Sequence, residues 1–190
     1  MLLFAAQGEP NVARVSHTFG AFVRLPDGDA NRLELKVINW MPRTLQIEPL
    51  RMYPQAGTNL NLPASLQWAK SVDSKVTMWG PYEVRKPLYD MAVQQANKLS
   101  SGGLEYQLND RRSRGQGAAN CIHALSDLDV LQPPLETGTE CGNDATLLVL
   151  THFRKYIVPT DESMDWLTTR LNLSPTDMEF ATSDEALARP

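Results

Sequence analysis

The sequence predicts a single α+β domain in which helices pack against a small, mostly antiparallel sheet. Two strand patterns near the N-terminus flank the turn signal Pro26-Asp27-Gly28-Asp29, which is typical of a hairpin. Helical patterns dominate the remainder, without the regular alternation of strand and helix that characterises a doubly wound sheet. The 190 residues, of which 42% are hydrophobic and 21% charged, suit one domain with a sizeable core.

The chain divides into a predicted domain and two short ends. Residues 11–175 are expected to form the domain, residues 1–10 a flexible segment or leader remnant, and residues 176–190 a polar tail. The start, Met1 to Gln7, is apolar but lacks the basic region and the length of an intact signal peptide. The protein is therefore expected to be soluble and cytoplasmic by default, or exported if the apolar start belongs to a leader.

The hairpin is predicted from residue periodicity. Residues 12–25 are rich in Val, Phe and Thr and predict the first strand. By the two-residue period, one face carries Val15, His17, Phe19, Ala21 and Val23, and the other carries Ser16, Thr18, Gly20, Phe22 and Arg24. Residues 33–41 predict the second strand, which Pro42 ends.

The remaining elements follow from helical stripes, caps and breakers. Weaker strands are expected near residues 45–47, 75–79 and 104–108, with a polar loop over residues 109–118. Helices are expected over residues 63–72, 84–99, 120–128, 143–156 and 160–171, with Asn143 and Thr160 as N-caps of the last two.

Composition excludes several classes of function. A formal charge of −4 argues against nucleic acid as a partner, because phosphate binding needs a basic surface. The two cysteines cannot build a disulfide framework, and without clustered histidines they make a poor zinc site. No phosphate loop, dinucleotide fingerprint or zinc-protease motif is present, and no stretch approaches the ~20 apolar residues of a membrane span. No cofactor or metal is implied, and the oligomeric state is left open.

Cys121 is the first candidate for chemistry. It follows a Gly- and Ala-rich loop and lies at the predicted start of a helix. The free backbone N–H groups and the dipole of a helix start favour a thiolate and can stabilise an oxyanion. A buried cysteine that only packs is the competing interpretation.

His17 is the candidate base, because a thiol nucleophile needs a base or a cationic partner. The competing interpretation is a strand histidine bonded to backbone. A third residue would orient the imidazole. Asn39, near the end of the partner strand, is favoured for that role, and Glu34 and Asp29 are alternatives.

Other residues carry weaker signals. Asn120 and His123 flank Cys121 and are candidate binding residues, but positions i and i+2 of a helix do not face each other, so His123 is a poor base. Trp79 and Tyr82 lie at a turn and could wall a cleft. Cys141 lies in a Gly- and Thr-rich loop and is interpreted as a bystander or a disulfide partner.

The segment Asn120-Cys121-Ile122-His123-Ala124 resembles the Asn-Cys-Glu-His-Phe signature of the lecithin:retinol acyltransferase-like proteins. Those proteins are circularly permuted members of the papain-like, NlpC-type thiol superfamily, in which a histidine on an early strand precedes the cysteine. Ser16-His17-Thr18-Phe19 lies where that histidine is expected, and it is similar to the His-Thr-Phe strand of some bacterial periplasmic relatives. Ile122 replaces the Glu of the signature, and no second histidine lies between His17 and Cys121.

The resemblance implies a permuted papain-like fold and thiol acyl-transfer chemistry on a peptide, an amide or a lipid ester. Carried over by position, Cys121 is the nucleophile and His17 the base, and the location of the family's third polar residue favours Asn39. The alternatives are a non-catalytic binding domain on the same scaffold and a structural protein with a buried cysteine.

Overall fold

A five-stranded sheet forms the centre of the molecule. The structure is a computed structural model that describes residues 1–29, 32–109, 117–138 and 140–181. The strand order is β3-β2-β1-β6-β9, and all neighbours are antiparallel except β6 and β9. The strands are β1 (Leu2–Gln7), β2 (His17–Arg24), β3 (Glu34–Ile38), β6 (Lys75–Trp79) and β9 (Glu179–Ala181).

A second, four-stranded sheet adjoins the first, and its strand order is β4-β5-β7-β8. Its strands are β4 (Trp40–Pro42), β5 (Gln55–Asn59), β7 (Glu105–Tyr106) and β8 (Ala118–Ala119). The chain passes from one sheet to the other at Asn39, between β3 and β4. The expectation of an α+β domain is therefore confirmed.

The helices form one layer on each face of the five-stranded sheet. They are α1 (Leu62–Ser71), α2 (Lys86–Ser100), α3 (Cys121–Ser126), α4 (Asn143–Phe153) and α5 (Asp165–Arg170). The first core contains buried residues of α2, α3 and α4 together with Leu3 and Ala5 of β1. The second core contains buried residues of α1 and α5 together with Phe4 and Ala6 of β1.

The N-terminal residues form the central strand rather than a flexible segment. β1 lies between β2 and β6, and residues 1–6 are buried. A strand covered on both faces needs apolar side chains on both, so its sequence is a continuous hydrophobic run. That run resembles the apolar part of a leader, and this resemblance led to the expectation of a flexible segment or leader remnant over residues 1–10. At the other end, Glu179–Ala181 of the expected polar tail form β9, and residues 182–190 lie outside the described part of the chain.

The predicted hairpin is confirmed, but its strands are shorter than expected. Gly20 pairs with Ile38 and Arg24 with Glu34, and β2 begins at His17 rather than at residue 12. The single second strand predicted for residues 33–41 is interrupted at Asn39. No strand forms over residues 45–47, and β5, which the pattern did not predict, contains Gly57. A Cβ atom there would lie 2.0 Å from Cζ2 of Trp40, so close ring packing requires the glycine that weakens the strand signal.

The helices lie where the hydrophobic stripes predict them, but they begin and end at different residues. Asn143 is the first residue of α4 rather than its cap, and its N–H donates to Oε1 of Gln7. The last helix begins at Asp165 instead of at Thr160, whose hydroxyl accepts from Glu162. Most of the predicted polar loop, residues 110–116, lies outside the described residues.

Close contact between α3 and β2 brings Cys121 to the sheet. A Cβ atom on Gly20 would lie 2.8 Å from Cδ1 of Leu125. The side chains of Leu125 and Leu3 both lie next to this position, and both residues are fully buried. Gly20 therefore lets α3 lie directly on the strand that carries His17.

Candidate functional site

Cys121 and His17 line one cavity of about 550 Å³ near the N-terminal end of β2. Segments from four parts of the chain meet there. The lining residues are Ala13, Ser16, His17, Thr18, Leu108, Asn109, Asn120, Cys121, Ile122, Thr137, Gly138, Glu140, Cys141 and Gly142. Glu140 is the charged residue among them, and its Oε2 accepts a hydrogen bond from the N–H of Gly138 at 2.6 Å.

Asn120 fixes the start of the cysteine-bearing helix. Its Oδ1 accepts from the N–H of His123 at 2.8 Å, which is the usual N-cap contact, and its Nδ2 donates to the carbonyl of Leu108 at 3.2 Å. Cys121 is therefore the first helical residue, and 6% of its surface is exposed. The expected helix start is confirmed, and the Asn120 side chain positions Cys121.

His17 is held by Asn39. The two side chains are buried, and Nε2 of His17 lies 2.6 Å from Oδ1 of Asn39. Because an amide oxygen only accepts, Nε2 carries the ring proton. Of the three candidates for orienting the imidazole, Asn39 is the one bonded to it. Glu34 lies at the other end of the hairpin, where its Oε2 accepts from Tyr89 at 3.3 Å.

Backbone contacts hold Asn39 in turn. Its N–H donates to Oδ1 of Asn59 at 2.8 Å, and its carbonyl accepts from the N–H of Leu60 at 3.0 Å. The amide of Asn59 also donates to Val37 at 2.8 Å. These hydrogen bonds hold the backbone of Asn39, the residue at which the chain passes from one sheet to the other. The Asn39 side chain therefore has little freedom.

The surroundings of His17 keep its imidazole neutral. Trp68 contacts the imidazole edge-on, with ring centroids 5.3 Å apart, and Phe19 stacks on it, with ring centroids 5.9 Å apart. Burial lowers the pKa of His17 from 6.5 to about 4, and the hydrogen bond with Asn39 opposes this shift. With Nε2 protonated, Nδ1 is the basic nitrogen, and it is buried without a hydrogen-bond partner among the described residues.

His17 and Cys121 reach the cavity from different layers. The His17 ring lies with Phe19 and Trp68 on the face of β2 covered by α1, whereas Cys121 packs in the first core on the other face. Since Nδ1 of His17 has no hydrogen-bond partner in the described part of the chain, no direct hydrogen bond joins it to the sulfur. A proton passing between them needs a water molecule, a substrate atom or a small movement.

Tyr106 shares the first core with Cys121, and the sequence analysis did not single it out. Its side chain is 1% exposed, and its hydroxyl has no hydrogen-bond partner among the described residues. Burial raises the pKa of Tyr106 well above its ordinary value, and the charge of Cys121 adds to the shift. Only the alternation of residues 104–108 hinted that this side chain points inward.

The remaining candidates lie elsewhere. His123, a candidate binding residue, is buried and does not line the Cys121 cavity, and its Nδ1 lies 3.0 Å from a carboxylate oxygen of Asp127. Trp79 and Tyr82 are buried at and beyond the end of β6 and do not line the Cys121 cavity. Cys141, interpreted from the sequence as a bystander or a disulfide partner, does line it, and neither cysteine is in a disulfide.

Comparison of the chain with known protein families, curated proteins and solved structures finds no match. Within the described ranges, no group of three potential metal-ligating side chains occurs. No helix in that part of the chain is long and apolar enough to cross a membrane.

Acid should destabilise the fold through His17. The unfolded chain binds more protons because the folded-state pKa of about 4 lies below 6.5, so the stabilisation is complete above pH 6.5 and is lost as the pH falls to 4. We expect this group to lower the free energy of unfolding by about 3 kcal/mol over that range. Urea denaturation of the wild type and of His17→Gln at several pH values measures the difference.

The comparison of the two proteins isolates the imidazole. The Met1 amino group, whose pKa burial lowers to about 5, titrates in the same window in both proteins and so cancels. An equal loss of stability in His17→Gln on acidification would show that His17 is not the buried neutral group described.

Proposed function

We propose that this protein is a cysteine-dependent hydrolase or acyltransferase acting on an amide or an ester, built on a permuted papain-like, NlpC-type scaffold. The observation that carries the proposal is the cavity that Cys121 shares with a neutral His17, whose protonated nitrogen is bonded to Asn39 and whose other nitrogen has no partner among the described residues. These are the components of a thiol nucleophile, a base and an orienting amide.

The order of the elements supports the scaffold. A histidine on an early strand, an asparagine at the end of the next strand and a cysteine that begins a later helix occur in the order implied by the resemblance. The absence of a match to any known family leaves this assignment to the motif and the site.

The chemistry follows from the positions of the side chains. Sγ of Cys121 attacks the substrate carbonyl carbon, and the thiol proton passes to Nδ1 of His17 through a water molecule in the cavity. The bond from Nε2 to Asn39 keeps the ring oriented while it is charged. His17 then protonates the leaving amine or alcohol, and water or a second nucleophile releases the acyl group from the sulfur.

Two kinds of donor are the candidates for stabilising the oxyanion. The backbone N–H groups at the start of α3 lie beside Cys121, and the Tyr106 hydroxyl is a buried donor in the same core as Cys121. A donor with no competing hydrogen bond is preorganised for charge that develops only during the reaction.

A non-catalytic binding domain is the second candidate. The observation that favours it is the missing hydrogen bond between His17 and Cys121, because such a domain could keep the cavity without an activated thiol. The reactivity of Cys121 separates the two functions.

Alkylation of Cys121 by iodoacetamide should show an activated thiol. In a Cys141→Ser background, we expect the rate to follow an apparent pKa below the ~8.5 of a free cysteine. His17→Gln should slow the reaction at neutral pH, because the neutral imidazole no longer accepts the thiol proton. The rate is measured by mass spectrometry across the pH range.

His152→Gln is the matched control, since His152 does not line the cavity. It should leave the apparent pKa of Cys121 unchanged. An ordinary pKa in all three proteins, or a thiol that never reacts, would contradict the catalytic proposal and favour the binding domain.

Tyr106→Phe should separate stability from chemistry. Removing a buried hydroxyl without a partner should leave the free energy of unfolding unchanged or raise it by up to about 1–3 kcal/mol. Acylation of Cys121 by a p-nitrophenyl ester should slow by about a hundredfold, as expected for a lost oxyanion donor. The burst of p-nitrophenol and urea denaturation give the two readouts.

Tyr156→Phe is the control for this substitution. Its hydroxyl donates to Asp129 at 2.6 Å away from the cavity, so it should lose stability and keep its acylation rate. A Tyr106→Phe protein that acylates at the wild-type rate would remove Tyr106 from the site.

A further inference from the structure

The two cysteines of the chain lie on the same cavity. Neither is in a disulfide, and no other cysteine occurs in the sequence. Cys121 is the first residue of α3, and Cys141 precedes Gly142, the residue that caps α4. Both residues line the cavity of about 550 Å³, which is large enough to admit a molecule as small as hydrogen peroxide.

The starts of α3 and α4 lie on the same face of β2. Leu125 of α3 packs against Gly20, and Oγ1 of Thr146 in α4 lies 3.0 Å from Oγ1 of Thr18. Gly20 and Thr18 point to the same side of the strand, and the two helices contact each other. Unlike His17, Cys141 therefore approaches the cavity from the same layer as Cys121.

The two thiols differ in their surroundings. Cys121 is packed in the first core, whereas Cys141 is partly exposed and its S–H donates to Oδ1 of Asn11 at 3.2 Å. Burial raises the pKa of the Cys141 thiol, the hydrogen bond with Ser16 opposes this shift, and Asp144 and Glu140 add to it. Because the thiolate is the nucleophilic form, a raised pKa makes Cys141 slow to react with peroxide, so the first step is assigned to Cys121.

We propose that this cavity is a peroxide-responsive site in which Cys121 and Cys141 join in a reversible disulfide. The proposal rests on the proposed function, because it needs the Cys121 thiolate. The thiolate attacks one oxygen of hydrogen peroxide and becomes a sulfenic acid, and hydroxide leaves. The Cys141 sulfur then displaces the sulfenic oxygen, which departs with the Cys141 proton as water. Two thiols are oxidised and one peroxide is reduced, and an external dithiol reverses the bond.

The proposed disulfide sets a distance requirement on the two cysteines. A disulfide requires Cα atoms within about 7 Å of each other. Cys121 is held by α3, whereas Cys141 lies outside any helix or strand and is tied to Asn11 by contacts at the surface. The disulfide would occupy the nucleophile, stop turnover and protect Cys121 from further oxidation.

Intact-mass spectrometry of peroxide-treated protein tests the proposal, with dimedone present or absent to trap sulfenic acid. The wild type should lose two hydrogen masses and both free thiols, and dithiothreitol should restore them. Cys141→Ser, a nearly isosteric control, should instead gain one dimedone group, located at Cys121 by peptide mapping. Cys121→Ser should keep its remaining thiol.

Three other outcomes would overturn the proposed disulfide. Dimedone addition or higher oxidation at Cys121 of the wild type, with no bond to Cys141, would overturn the disulfide but leave an activated Cys121. A disulfide that joins two chains would overturn it too. Complete resistance of Cys121 to peroxide would overturn the proposal, and the iodoacetamide profile would then show whether the proposed function fails with it.

Discussion

The hydrogen bond between His17 and Asn39 is the interaction on which the site depends. It joins the start of β2 to the residue at which the chain leaves one sheet and enters the other. Because both groups are buried, loss of either partner leaves an uncompensated polar atom in the core. With Oδ1 of Asn39 as the acceptor, the ring proton lies on Nε2, and Nδ1 is the basic nitrogen of the buried ring.

The two cores explain how distant residues converge. The central strand β1 contributes to both, so the layer that holds His17 and the layer that holds Cys121 share one backbone. Gly20 lets α3 pack directly on β2, and Asn120 caps that helix at the cavity. Cys121 is thereby placed by packing on one face of the sheet and His17 on the other, and both residues line the cavity near the N-terminal end of β2.

The sequence predicted the parts of the site that depend on local patterns. Alternation in β2 gave the two faces, the hairpin placed Asn39 near His17, and the Asn120-Cys121 pair indicated a helix start. It did not predict β1, because a strand buried on both faces has no alternation. It did not single out Tyr106, and it left Cys141 as a bystander or a disulfide partner, because the positions of both residues depend on long-range packing, which neither a strand of two residues nor an irregular loop reveals.

The ¹⁵N chemical shifts of the His17 ring test the central claim most directly. At neutral pH the account predicts a neutral ring with a proton on Nε2 and none on Nδ1, and this state should persist until the pH approaches about 4. Alkylation of Cys121 should shift the Nδ1 resonance, because both groups line the same cavity. A proton on Nδ1, a charged ring at neutral pH, or an Nδ1 signal indifferent to Cys121 would contradict the account.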